Sequence, residues 1–80
     1  MMVEDRLRWQ CRRGMLELDL LLEDILDRCY DSLSGDERVV FAELLSESDQ
    51  DLLDFFFGRK TPEDAGMAHV IEKLRISLNR

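Results

Sequence analysis

The stretch MLELDLLLEDILDRCYDSL, residues 15–33, decides the fold because its apolar residues recur at intervals of three and four. Charged residues fill most of the positions between them. The segment therefore predicts a helix over about residues 15–32, with one buried stripe and one charged face. The stripe consists of Leu18, Leu21, Leu22, Ile25, Leu26, Cys29, Tyr30 and Leu33.

A shorter pattern of the same kind precedes this segment. Val3, Leu7 and Cys11 are each four residues apart, which predicts a first helix that ends near Gly14. Glycine suits the left-handed conformation that often follows a helix, where a side chain would be strained.

The later helices are marked by residues typical of helix ends. Ser34 followed by Glu37 predicts a capping box at the start of a third helix. Ser48 with Asp51 predicts the start of a fourth, which Gly58 ends. In the last helix we expect Thr61 as the N-cap and Pro62 as the first helical residue, followed by a buried face. That face consists of Met67, Val70, Ile71, Leu74 and Leu78.

These patterns predict an all-α fold, a compact bundle of about five helices that forms a single domain over residues 1–80. The chain has 80 residues, of which 45% are hydrophobic, and no apolar run near the ~20 residues that span a membrane. Since no export signal opens the sequence, we expect a cytoplasmic protein. We also expect Cys11 and Cys29 to be reduced residues of the core.

The charge distribution bears on the partner. The net charge of −7 argues against nucleic acid as a ligand. Residues 14–64 contain fifteen acidic and four basic residues, a net charge of −11, whereas residues 1–13 and 65–80 each carry +2. Such a two-signed surface either balances itself within the molecule or orients a partner.

A bundle of this size has little room for a buried catalytic pocket, so function is expected on its surface. His69 is the only histidine, and the sequence offers no nucleophile with a partner base. The acidic residues Glu23, Asp27 and Asp31 are expected to form a solvated face. Of the three consecutive phenylalanines at 55–57, two are expected in the core.

Residues 9–20 are the exception to this ordinary pattern. Trp9 lies off the apolar line of the first helix, and Leu16 and Leu20 lie away from the main stripe of the second. Together with Arg12, Arg13 and Glu17 they surround Gly14. Exposed aromatic, apolar and arginine side chains are typical of protein interfaces. The alternative is that Arg13 merely pairs with Glu17, four residues along the chain.

Three segments resemble the SdhE family of succinate dehydrogenase assembly factors: WQCRRGMLELD (9–19), YDSLSGDERVVFAELL (30–45) and DQDLLDFF (49–56). The similarity extends from about Arg8 to Gly58. The RGxxE motif of the family is matched by Arg13, Gly14 and Glu17.

The resemblance implies an assembly factor or chaperone and not an enzyme. Members of the family bind the flavoprotein subunit of succinate dehydrogenase, and in bacteria also that of fumarate reductase, and promote covalent attachment of FAD to a histidine of the subunit. Bacterial members have also been described as antitoxins of toxin–antitoxin pairs, which is the alternative function. No Gly-rich phosphate loop follows a strand, so we expect that the chain binds no FAD stably and acts on the FAD of its partner.

The resemblance places the partner-binding surface around the motif. Gly14 would turn the chain and allow close approach of the partner backbone, Arg13 would donate hydrogen bonds, and Glu17 would accept them or hold a basic group. We expect partner contacts from Trp9, Arg12, Arg13, Gly14, Leu16, Glu17, Asp19 and Leu20. We expect no catalytic residue, no metal site and no insertion into a membrane.

Overall fold

The computed structural model describes residues 5–78, with side chains from residue 6 onward, and this part of the chain contains five α-helices and no strand. The all-α prediction is confirmed. A short 3-10 helix at Tyr30–Ser32 follows the second α-helix. The α-helices are α1 (Asp5–Gln10), α2 (Leu16–Arg28), α3 (Gly35–Leu44), α4 (Asp49–Phe56) and α5 (Ala65–Leu78).

The core forms around the apolar stripe of α2. Leu18, Leu22 and Ile25 have no exposed surface, and residues of α3, α4 and α5 pack around them. Among the residues with described side chains, no polar or charged one is buried. The core therefore consists of apolar residues, and every described polar or charged side chain keeps some exposure to solvent. The remaining buried residues are Cys11, Leu26, Cys29, Leu33, Phe41, Leu44, Leu45, Leu52, Leu53, Phe55, Phe56, Val70, Ile71 and Leu74.

Two of the predicted helix starts are confirmed in detail. At the start of α3, the Ser34 hydroxyl accepts from the Glu37 N–H at 3.1 Å, and the Glu37 carboxylate accepts from the Ser34 N–H at 2.8 Å. These two bonds form the predicted capping box. At the start of α4, the Ser48 hydroxyl accepts from the Asp51 N–H at 3.1 Å. Gly58 follows α4 with a positive φ of 76°, as expected for a helix end.

The first two helices end earlier than predicted. Helix α1 ends at Gln10 and not near Gly14, although Gly14 does adopt the left-handed conformation with φ 81°. The predicted core residue Val3 lies outside the described residues. Helix α2 ends at Arg28 because the chain tightens into the 3-10 helix, where the N–H and hydroxyl of Ser32 both donate to the Cys29 carbonyl.

The predicted start of α5 is wrong. The helix begins at Ala65, and its N-cap is Asp64 in place of Thr61. The Asp64 carboxylate accepts from the Met67 N–H at 2.9 Å, and the Asp64 carbonyl accepts from the Ala68 N–H at 3.0 Å. Pro62 therefore precedes the helix by three residues. The predicted buried face of α5 is confirmed, with Val70 and its neighbours in the core.

The expectations for the phenylalanine run, the two cysteines and His69 are confirmed. Phe57 is exposed, whereas the other two phenylalanines of the run are buried. Both cysteines are buried and unbonded to each other. His69 is exposed, and its ring nitrogen lies 2.8 Å from the Glu37 carboxylate. Within residues 5–78, no cluster of three or more acidic, histidine or cysteine residues could hold a metal ion, and no helix is long and apolar enough to cross a membrane.

Candidate functional site

The loop that joins α1 to α2, residues 11–15, forms the centre of the candidate site. Gly14 is exposed in this loop, and a Cβ placed on it would meet no atom of the protein within 4 Å. Its positive φ of 81° favours glycine on conformational grounds. The space outside Gly14 is therefore open to an approaching partner.

Asp19 holds this loop from the side of α2. One oxygen of its carboxylate accepts from the Arg13 N–H at 2.6 Å, and the other accepts from the Gly14 N–H at 3.3 Å. Asp19 lies in the first turn of α2, where a negative charge is favoured by the helix dipole. The conformation of the loop is thus linked to the start of the helix.

The side chain of Arg13 connects the loop to the start of α4 and to the segment between α3 and α4. Its Nε donates to the Asp49 carboxylate at 2.7 Å, and its two terminal nitrogens donate to the carbonyls of Leu45 at 2.6 Å and Glu47 at 2.8 Å. A further contact reaches the Gln10 carbonyl at 3.4 Å. The side chain is only 17% exposed. The local Arg13–Glu17 pair offered as an alternative is not formed.

The side chains of Glu17 and Arg12 are exposed and, unlike that of Arg13, form no hydrogen bond or ion pair with any other residue that the structure describes. Glu17 lies in the first turn of α2, directly before the buried residue Leu18. Both charges are therefore available to a partner, and no internal pair has to be broken first.

Three large apolar side chains near the loop are exposed. Trp9 is 74% exposed on α1, and Leu16 and Leu20 are 72% and 57% exposed one turn apart on α2. Side chains four residues apart share one face of a helix. We refer to the exposed residues Trp9, Arg12, Gly14, Leu16, Glu17 and Leu20 as the corner surface.

A groove of about 210 Å³ borders the corner surface between α1 and α2. Burial raises the pKa of the Cys11 thiol at its base to about 11, an effect larger than the opposing influence of the nearby arginines Arg13 and Arg8. The thiol is therefore protonated near neutral pH and unsuited to nucleophilic chemistry. The groove is lined by Arg8, Cys11, Arg12, Asp19, Glu23 and Leu26.

The structure thus separates the predicted site residues into two groups. Six form the corner surface, whereas Arg13 and Asp19 point their polar groups into the protein and hold the loop. Asp49 was not predicted from the sequence; it is an acidic residue in the first turn of α4, where such residues are common because of the helix dipole. No local pattern could have paired it with Arg13, because the two are 36 residues apart.

The chain is similar to proteins of one known family. Residues 5–77 match the family model described as "Flavinator of succinate dehydrogenase". The chain is 47% identical over 75 residues to the FAD assembly factor SdhE of Idiomarina loihiensis, covering 94% of this chain and 80% of that protein. It is 41% identical over 70 residues to the protein of the same name from Coxiella burnetii, covering 88% of this chain and 85% of that protein.

The fold and the site define a small all-α protein with exposed apolar and charged side chains around a glycine corner. The chain belongs to the family of succinate dehydrogenase flavinators, whose curated relatives are named FAD assembly factors. The resemblance drawn from the RGxxE motif and its flanking segments is confirmed.

Proposed function

We propose that this protein acts in the cytoplasm, where it binds the flavoprotein subunit of succinate dehydrogenase and promotes covalent attachment of FAD to that subunit. The flavoprotein subunit of fumarate reductase is a second client of the same kind. The observation that carries the proposal is the exposed corner surface, built on the RGxxE motif in a chain of the flavinator family.

The corner surface combines the contacts that such a partner needs. Trp9, Leu16 and Leu20 supply apolar area around the loop, as the central residues of protein interfaces commonly do. Glu17 offers an unpaired carboxylate to a basic group of the partner. The space outside Gly14 is empty, so the backbone of a partner can approach the loop closely. A side chain at this position would collide with such a partner.

The described residues favour a role in positioning and not in covalent catalysis. The thiol nearest the corner surface, Cys11, is buried and protonated, and the acidic and basic groups of the surface are not arranged as a nucleophile with a base. Holding a partner's reacting groups in the correct geometry can by itself lower a barrier substantially. The protein would therefore act by fixing the flavoprotein in the arrangement in which its own histidine meets FAD.

The proposal predicts binding to the flavoprotein without tight binding to free FAD. Calorimetric titration of the purified flavoprotein subunit into this protein should show saturable binding. Free FAD should give no heat of binding, and the purified protein should be colourless. Absence of binding to the subunit would overturn the proposed function, and FAD that remains bound through gel filtration would overturn the part that concerns the cofactor.

A further inference from the structure

Asp49 lies outside the RGxxE motif but contacts it directly. It is the first residue of α4, and its carboxylate accepts from the Arg13 Nε at 2.7 Å. The two side chains are 17% and 35% exposed. This is the least exposed arginine–carboxylate pair among the described residues, and water screens it less than the other pairs on the surface.

The two terminal nitrogens of Arg13 form hydrogen bonds beside its contact with Asp49. Its terminal nitrogens donate to the carbonyls of Leu45 and Glu47, which lie just after α3. Carbonyl oxygens accept hydrogen bonds but do not neutralise the guanidinium charge, and Asp49 supplies the matching negative charge. Ser48 caps α4 immediately before Asp49, so the backbone that carries the carboxylate belongs to a capped helix start.

Arg13 is therefore held at both ends. Its backbone N–H donates to Asp19 of α2, while its side chain donates to Asp49 of α4. The loop between α1 and α2 is linked by this one residue to two other parts of the bundle. Gly14, the next residue, remains on the exposed side with open space outside it.

We propose that Asp49 is a positioning residue for partner binding, which acts through Arg13 to hold residues 11–15 so that Gly14 and Glu17 are presented in one arrangement. The inference rests on the proposed function, because it concerns the surface that binds the flavoprotein. Without Asp49 the loop adopts more conformations, and binding must restrict them at a cost in affinity.

The test compares Asp49→Ala with Asp51→Ala. Asp51 lies in the same first turn of α4 but pairs with Lys60 at 2.9 Å, so its removal costs a similar ion pair without touching Arg13. The dissociation constant for the purified flavoprotein subunit is measured below the melting temperature of both variants. We expect about tenfold weaker binding for Asp49→Ala, within the range for residues that act on a site indirectly, and a change under twofold for Asp51→Ala. Equal affinities of the two variants would overturn the inference.

Two further measurements separate positioning from general loss of stability. Amide hydrogen exchange at Arg13 should accelerate in Asp49→Ala, while exchange of the buried residues Leu22 and Ile25 in α2 stays unchanged. In an Arg13→Ala background, Asp49→Ala should have no further effect on affinity.

The failures of the two proposals are distinguishable. If wild-type protein does not bind the flavoprotein subunit, the proposed function is wrong, and the role of Asp49 in binding is wrong with it. If wild-type protein binds but exchange at Arg13 is unaltered in Asp49→Ala, only the inference about Asp49 is wrong.

Discussion

Arg13 and Glu17 belong to one motif, but their side chains lie in opposite environments. The Arg13 side chain is partly buried and donates to Asp49 and to backbone carbonyls after α3. Glu17 is exposed, and no described residue pairs with it. A substitution at Arg13 therefore removes hydrogen bonds within the protein, whereas one at Glu17 changes mainly the surface that a partner can contact.

Glu17→Gln tests whether this carboxylate faces the flavoprotein. Removing the mate of a charge that becomes buried in an interface typically costs about 2 to 5 kcal/mol, so we expect affinity for the subunit to fall by about 30-fold or more. The free energy of unfolding should change by no more than about 0.5 kcal/mol, since an exposed, unpaired side chain is altered.

The matched control is Glu72→Gln, an exposed glutamate on α5 that is also unpaired within the described part of the chain. It should leave both affinity and stability unchanged. Normal affinity of Glu17→Gln for the flavoprotein would show that Glu17 does not contact it.

The exposure of the corner residues could be predicted from the sequence, but the environment of Arg13 could not. Trp9, Leu16 and Leu20 stand outside the apolar stripes, so their exposure follows from helical periodicity. The three shortest hydrogen bonds of the Arg13 side chain reach residues 32 to 36 positions away, and spacing along one helix contains no information about them. A spacing of four residues suggested Glu17 as the partner of Arg13. That alternative was wrong because the Arg13 side chain pairs with Asp49 instead.

Among the helices, the starts of α3 and α4 were predicted correctly and that of α5 was not. Ser34 and Ser48 each accept the N–H three residues ahead, a local pattern that the sequence displays. Before α5, Thr61 and Asp64 both suit an N-cap, and Asp64 takes that position. The end of α1 depends on Asp19, which accepts from the loop, and that contact is not visible in the periodicity of α1 itself.

Glu37 links α3 to α5 at a distance from the corner surface. Its carboxylate accepts from Lys73 at 2.8 Å and from the Ser34 N–H at 2.8 Å, and it lies 2.8 Å from the ring nitrogen of His69. The hydrogen bond from Lys73, followed by those from Ser34 and His69, lowers the pKa of Glu37 to about 2. The charged form of this carboxylate therefore stabilises the folded state.

The lowered pKa predicts how the stabilisation varies with pH. Because the folded pKa is below the ordinary value of 4.5, the contribution is fully present above about pH 4.5 and is lost as the pH falls toward 2. Glu37→Gln should be less stable than wild type at pH 7, and the difference in the free energy of unfolding should shrink between pH 4.5 and 2.

Urea unfolding at a series of pH values measures this difference, with Glu72→Gln as a control that should show no comparable change. A difference between wild type and Glu37→Gln that stays constant from pH 7 to pH 2.5 would contradict the assigned role of the Glu37 carboxylate. Affinity for the flavoprotein at pH 7 should be unaffected, since Glu37 is not part of the corner surface.

In the molecule as a whole, the described residues form one apolar core. We therefore expect the function to lie on the surface. The largest buried side chains come from α2, α3, α4 and α5, and no described polar side chain is buried among them. Composition and periodicity were sufficient to predict this all-α class, because α2, α3, α4 and α5 each bury apolar residues at helical spacing. The prediction that residues 1–80 form one domain is consistent with the single core of the described residues and otherwise stays a prediction.

The proposed function is tested by the covalent flavin content of the flavoprotein subunit in cells that lack this protein. The subunit is denatured and separated on a gel, and its flavin fluorescence is compared with the amount of subunit present. We predict a subunit that is still made but largely lacks covalent flavin, and recovery of fluorescence when the gene is restored. Fluorescence per subunit equal to that of the parent strain would contradict the proposal that this protein promotes flavin attachment.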